Sequence, residues 1–217
     1  MDEYGIPNGY ATVAEMLEKS EPDIVSVCVW HLLHDSVTAE VAVGPSVKGI
    51  ICEKPMAIGM GRADAMVDVC EANQVKLAIS HQRRFTPGWE KARELVEDGA
   101  IGIPLRADLR VKEGLANWGT HSIDGARYIL GDPVAEWVIG NIERKTDRYE
   151  RDIRIEDRSA GIIGFDNGAV GQLLQELHPQ RRQGGFVYGE DGIMDINEQR
   201  VRLLSSKTGG WEERPST

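Results

Sequence analysis

Gly49-Ile50-Ile51-Cys52-Glu53-Lys54-Pro55 decides how the chain is read. The apolar run at 47–52 is too short for a helix and rich in β-branched residues, so it predicts a strand buried on both faces, as in a parallel sheet. Pro55 lacks an amide hydrogen and disfavours helical geometry at Lys54, which ends the strand there. In open parallel α/β sheets, ligands bind beyond the carboxyl ends of the strands, and that is where this reading puts Glu53 and Lys54. A lysine so placed can face a ligand. Taken alone, it reads as a solvated loop residue.

The pattern repeats on either side. Thr12-Val13-Ala14-Glu15 fits a capping box opening a helix over 13–19. Residues 24–29 read as a second strand, followed by a loop with Trp30, His31 and His34 and a helix over 37–43 capped by Asp35 or Ser36. A helix over 62–72 leads to a third strand over 75–80 and then to His81-Gln82-Arg83-Arg84. Strands alternating with helices through short connections make βαβ units and a parallel sheet. Three polar loops then share one sheet edge, and that cluster is the signal for a site. Singly, His31 and His34 read as capping or packing residues or, with His121, as metal ligands. Arg83 and Arg84 also fit a solvated role, since adjacent residues leaving a strand point to opposite sides.

Beyond residue 84 the grammar changes to hairpins. Thr86-Pro87 starts a helix over 87–98, with Trp89, Ala92, Leu95 and Val96 inward. Strands are expected at 105–111, 134–142, 160–165, 169–174, 186–188, 193–196 and 201–204, with a turn at Asp166-Asn167-Gly168. These form a mostly antiparallel open sheet. The charged stretch 144–158 carries no chemistry that the sequence assigns. Within Asn117-Trp118-Gly119-Thr120-His121-Ser122-Ile123-Asp124, helical geometry from Asn117 puts Asn117 and Asp124 in reach of the His121 imidazole. A histidine near a helix start has its charged form disfavoured, which suits a proton acceptor. A structural His–Asp pair fits the same spacing.

The net charge is −10 without a compensating basic run, which argues against nucleic acid and anionic membranes. Hydrophobic residues are 41% and charged ones 28%, as in soluble globular proteins, and no apolar run approaches a membrane span. Cys28, Cys52 and Cys70 lack metal-ligand spacing and read as buried thiols of a reducing, cytoplasmic compartment.

Taken in order, Cys52-Glu53-Lys54-Pro55-Met56-Ala57, Ser80-His81-Gln82-Arg83-Arg84-Phe85, Gly99-Ala100-Ile101-Gly102 and Trp118-Gly119-Thr120-His121-Ser122-Ile123-Asp124 resemble the Gfo/Idh/MocA oxidoreductases. The resemblance implies an α/β protein: a partial Rossmann, doubly wound parallel sheet over 1–84, then an α+β domain over 85–217 that binds substrate and joins subunits through its sheet. It implies NAD or NADP as cofactor, a sugar, inositol or related polyol as substrate, and a homodimer or homotetramer. Lys54 matches the lysine beside the nicotinamide and the reacting carbon, and His121 the acid/base. Asn117 and Asp124 complete the catalytic set. Trp30, His31, His34, Glu53, Lys54, Gln82 and Arg83 would border the cofactor, and no metal is expected.

Two departures accompany the resemblance. Asn117 stands where many members carry an aspartate, which shifts weight toward Lys54, or toward Asp124 as the orienting carboxylate. There is also no Gly-x-Gly-x-x-Gly and no acidic residue after a second strand, so the expectation is a fragment lacking the first βαβ unit that binds dinucleotide poorly. A glycosidase of the same fold with a retained NAD, and a non-catalytic sugar-binding module, are the alternatives.

Overall fold

The computed structural model describes residues 4–111, 113–177 and 184–215. The chain divides into two compact units, Met1–His81 and Gln82–Thr217. Gln82, Arg83 and Arg84 therefore belong to the second unit, not to the end of the first.

The first unit holds α1 (Val13–Ser20), β1 (Ile24–Val27), α2 (His34–Ala42), β2 (Gly49–Glu53), α3 (Met60–Ala72) and β3 (Lys76–Ser80). Thr12 Oγ1 caps α1 by accepting from Glu15 N at 3.1 Å, and Glu15 Oε2 returns the bond to Ala11 N at 2.9 Å, one residue earlier than the usual box. The three strands are parallel in the order β1-β2-β3, with Val27 and Ile79 both level with Cys52. The strand ends therefore share one edge, as the βαβ reading requires.

Leu17, Val41, Ala42, Met66 and Cys70 of the helices pack with Val25, Val27, Ile50 and Cys52 of the sheet. That core covers one sheet face. On the other, Ile24 is 64% and Ile51 45% exposed, so the expectation of a strand buried on both faces fails for the described residues. β1 also stops at Val27, two residues short of the expected end, and α2 begins at His34 after a 3₁₀ turn over His31–Leu33. That start replaces the expected cap at Asp35 or Ser36. Cys28 is exposed, contrary to its reading as a buried thiol, whereas burial pushes the Cys52 thiol up to about 11.

The second unit holds α4 (Pro87–Glu97), β4 (Pro104–Val111), α5 (Thr120–Ile129), β5 (Ala135–Glu143), β6 (Tyr149–Glu150), β7 (Ile153–Arg154), β8 (Arg158–Phe165), β9 (Val170–Gln175), β10 (Gly184–Gly189), β11 (Gly192–Ile196), β12 (Val201–Ser205) and β13 (Glu212–Arg214). Eight strands form one sheet in the order β13-β12-β11-β10-β4-β9-β8-β5. All its pairs are antiparallel except β4 with β9, so the sheet is mixed. Trp89, Ala92, Ala126 and Ile129 of the helices pack on Ala107, Phe165, Leu173, Val187 and Met194 of the sheet. Gly125 permits this: a Cβ there would lie 1.1 Å from Trp89 Cζ3. Edge strand β5 leaves Val138 and Ile139, each 68% exposed, on opposite faces. The stretch 144–158, read as a charged loop, contains the β6–β7 hairpin.

Candidate functional site

In the first unit, the residues expected at the sheet edge differ in what they do. His34 is 1% exposed, with Nδ1 at 2.8 Å from Pro55 O and Nε2 at 3.1 Å from Val29 O. The ring thus ties the segment after β1 to the Glu53-Lys54-Pro55 turn after β2. Both nitrogens face carbonyl oxygens, so neither offers a lone pair to a metal or a polar atom to a cofactor, and His34 is a positioning residue. His31 is 4% exposed and meets the Trp30 indole edge to face at 6.0 Å. Trp30 itself is half exposed, and Glu53 and Lys54 are half-buried at the strand end. Among the described residues, no group of three His, Cys, Asp or Glu is placed to hold a metal ion.

An exposed indole, an ammonium and a carboxylate at the carboxyl edge of parallel strands suit the amide and ribose hydroxyls of a nicotinamide nucleoside. They do not make a pyrophosphate cradle. Gly59 and Gly61 flank the start of α3, and the space beside both is open among the described residues.

In the second unit, the helical run begins as a π-turn over Gly114–Gly119 and becomes α5 at Thr120. His121 therefore lies seven residues into the run, and the argument from a nearby helix start does not hold for it. The ring is 5% exposed and lies 6.3 Å, centroid to centroid, from the Trp118 indole. Carboxylates from the supposedly inert stretch hold the π-turn. Glu150 Oε1 accepts from Asn117 Nδ2 at 2.5 Å and from Trp118 Nε1 at 2.9 Å. Glu156 Oε1 accepts from Leu115 N at 2.5 Å. With its amide turned so that both ends are satisfied, the Gln175 nitrogen donates to Ser159 Oγ and Glu156 Oε1, both at 2.6 Å, and its oxygen accepts from Gly114 N at 3.2 Å. Wide turns of this kind recur at functional sites.

Asp124, expected to orient His121, receives Arg84: Nε lies 3.0 and 2.8 Å from its two oxygens and Nη2 2.6 Å from Oδ1. Arg84 also meets Asp132 at 2.9 Å and stands 5.3 Å from the Tyr128 ring centre. The Asp124 hydrogen bond is the largest influence holding the Arg84 pKa above its usual value. Arg84 is a structural brace between the turn at Gln82–Phe85 and α5. Arg83 pairs with Glu198 at 3.3 Å and lies 6.0 Å from the Trp118 ring centre, its pKa lowered by burial against that acid. Gln82 is exposed in the same turn.

A cavity of about 590 Å³ opens beside the π-turn, lined by Leu115, Ile123, Val138, Ile142, Ile163 and Leu173 among others. So apolar a lining does not suit a polyol, whose hydroxyls would lose their hydrogen bonds. Glu150, Glu156 and Gln175 are the site-building residues that sequence reasoning missed. Their spacing repeats no helical or strand motif around Asn117, and only the acid count of the 144–158 stretch hinted at buried partners.

The parallel βαβ unit with a ligand-suited edge, followed by an α/β unit with an open mixed sheet, is the architecture of Rossmann-type oxidoreductases. A family model described as the oxidoreductase family, NAD-binding Rossmann fold, matches residues 1–81, and the GFO/IDH/MocA C-terminal domain matches residues 112–195. The chain belongs to the Gfo/Idh/MocA oxidoreductase family. It is 28% identical over 220 residues to myo-inositol 2-dehydrogenase of Thermotoga maritima, covering 95% of this chain and 61% of that protein. It is 29% identical over 214 residues to D-xylose 1-dehydrogenase (NADP(+)) 2 of Haloferax volcanii, covering 90% of this chain and 63% of that one. The solved aldose-aldose oxidoreductase of Caulobacter crescentus, complexed with glycerol, superposes with a TM-score of 0.82 at 25% identity, over all of this chain and 71% of its own. The chain thus spans about three-fifths of the length of the first two relatives.

Proposed function

We propose that the protein carries out reversible hydride transfer between NAD or NADP and a secondary alcohol of a sugar, inositol or related polyol. The observation that carries this reading is the match of both family domains, in order, on one chain. The names of the relatives, an inositol and a xylose dehydrogenase, support the substrate class.

A bound nicotinamide would take the hydride from the carbinol carbon. As it leaves, the hydroxyl proton must go to a base, and the developing alkoxide needs a positive group close by. Lys54, half-buried where β2 ends, is assigned the positive charge. His121, on the first turn of α5, is assigned the base. Asn117 lies in the π-turn leading to it, and Asp124, three residues further along the helix, is assigned the orienting carboxylate. Trp30 and Glu53 are assigned to the nicotinamide end of the cofactor, with His31 behind the indole. Arg83 and Gln82 border the substrate side of the second unit. The apolar residues that β5 exposes are assigned to a contact with a second copy of the chain in a cytoplasmic homo-oligomer.

The test is Lys54→Ala and His121→Ala in the whole gene product, assayed by reduced-nicotinamide absorbance over a panel of polyols. Each substitution should lower kcat by about a hundredfold or more. Turnover near wild type in both would overturn the assignment. Calorimetric binding of a polyol by a protein that never binds nucleotide would replace it with a sugar-binding module.

A further inference from the structure

We propose that Glu150, on the β6–β7 hairpin, is the positioning residue of the candidate site: it fixes the Asn117 side chain and dictates which end of that amide faces away from the protein. A carboxylate only accepts hydrogen bonds, so the end of the amide at Glu150 Oε1, 2.5 Å away, is the NH₂. The carbonyl oxygen is thereby turned to the opposite side. The same Glu150 oxygen accepts the Trp118 indole N–H at 2.9 Å, so one atom locks two consecutive side chains of the π-turn.

The other oxygen, Oε2, is buried without a hydrogen-bond partner among the described residues. Among the described residues, the two donors at Oε1 hold the carboxylate on its site. A Cβ on Gly114, whose φ is +54°, would stand 2.7 Å from Oε2, so the glycine lets the carboxylate seat against the start of the turn. The pair also explains asparagine at 117. An aspartate there would press a second carboxylate against Glu150 in a partly buried setting, where like charges are destabilising. Asn117 and Glu150 are a matched donor and acceptor, and changing one requires changing the other.

The link from this turn to hydride transfer rests on the function proposed above; the role of Glu150 in holding the turn does not. The experiment is a double-mutant cycle of Asn117→Asp and Glu150→Gln, read by amide hydrogen exchange across 114–121 and by turnover. Asn117→Asp alone should speed exchange there about tenfold or more, the loss of one charge-assisted hydrogen bond. In the double variant the amide nitrogen introduced at position 150 donates to the carboxylate introduced at position 117 but can no longer accept from the Trp118 indole N–H, so both exchange and kcat should recover in part. Glu150→Gln alone keeps an acceptor oxygen and should be mild, whereas Glu150→Ala should match Asn117→Asp. Wild-type protection in Asn117→Asp, or no recovery in the double variant, overturns the role of Glu150. Exchange behaving as stated with no turnover in any protein, wild type included, supports Glu150 and overturns the proposed function instead.

Discussion

Replacing Gly125 by alanine reverses the sign that helix propensity alone would assign. In the interior of α5, alanine is favoured over glycine by about 1 kcal/mol, so the change should stabilise the protein. In the structure a Cβ at 125 would stand 1.1 Å from Trp89 Cζ3, 1.9 Å from Cη2 and 2.3 Å from Cε3. The indole must retreat by more than 2 Å to regain ordinary contact. It has little room, because Trp89 is 3% exposed and its neighbours Ala92 and Ala126 are fully buried. Overpacking of this kind costs about 1–3 kcal/mol when a core adjusts, and losing the burial of a tryptophan costs about 3–5 kcal/mol. Set against the propensity gain, the expected destabilisation is about 2–4 kcal/mol, a fall in Tm of about 5–15 °C. Urea unfolding followed by tryptophan fluorescence reports it, since four of the five tryptophans lie in the second unit. Gly61→Ala in α3 is the control: nothing lies within 4 Å of the added methyl, and a gain of a few tenths of a kcal/mol to about 1 kcal/mol is expected. A Gly125→Ala protein as stable as wild type, or more so, would refute the close packing of α4 on α5.

His34→Ala should destabilise the first unit by about 2–4 kcal/mol, from the cavity and from the loss of the ring N–H that one of the two carbonyls accepts. Far-UV circular dichroism during urea unfolding measures it, and a loss below about 0.5 kcal/mol would remove His34 as the tie between the two turns. Asp157 accepts from the Thr146 hydroxyl and from the amides of Thr146 at 2.9 Å and Lys145 at 2.5 Å. These bonds, the Thr146 hydroxyl first, lower its pKa to about 2 from 3.8. A carboxylate depressed in the folded state stabilises fully above its unfolded pKa and loses that contribution as pH falls through the folded one. The urea midpoint should therefore fall between about pH 4 and pH 2, less steeply in Asp157→Asn, and identical slopes would contradict the turn geometry.

Much of the fold was legible because its signals are local. Short apolar, β-branched runs mark β1 and β2, and Pro55, the cap at Thr12 and the proline after Thr86 mark where elements stop and start. The paired faces were less legible. Ile51 has the composition of a core residue, yet burial depends on what covers a face, and no residue within β2 carries that information. His34 looked like a loop residue for a ligand because a short helix led by a histidine has no side-chain cap to announce it. The pairing of Asp124 with Arg84, forty residues earlier, was not legible, because no spacing in the sequence announces it.

The sequence by itself determined the order and type of the main helices and strands, the family resemblance, and the candidacy of Lys54 and His121. Each of these is written in spacing, turn chemistry or a contiguous motif. Only the tertiary structure decided that Glu150 and Glu156 hold the turn before His121, that Arg84 occupies Asp124, and that His34 joins two strand ends. Those pairings join residues 21 to 41 positions apart in the chain. Hydrogen bonds and ion pairs carry no period, so which donor meets which acceptor becomes defined only when packing of the apolar faces brings distant segments together.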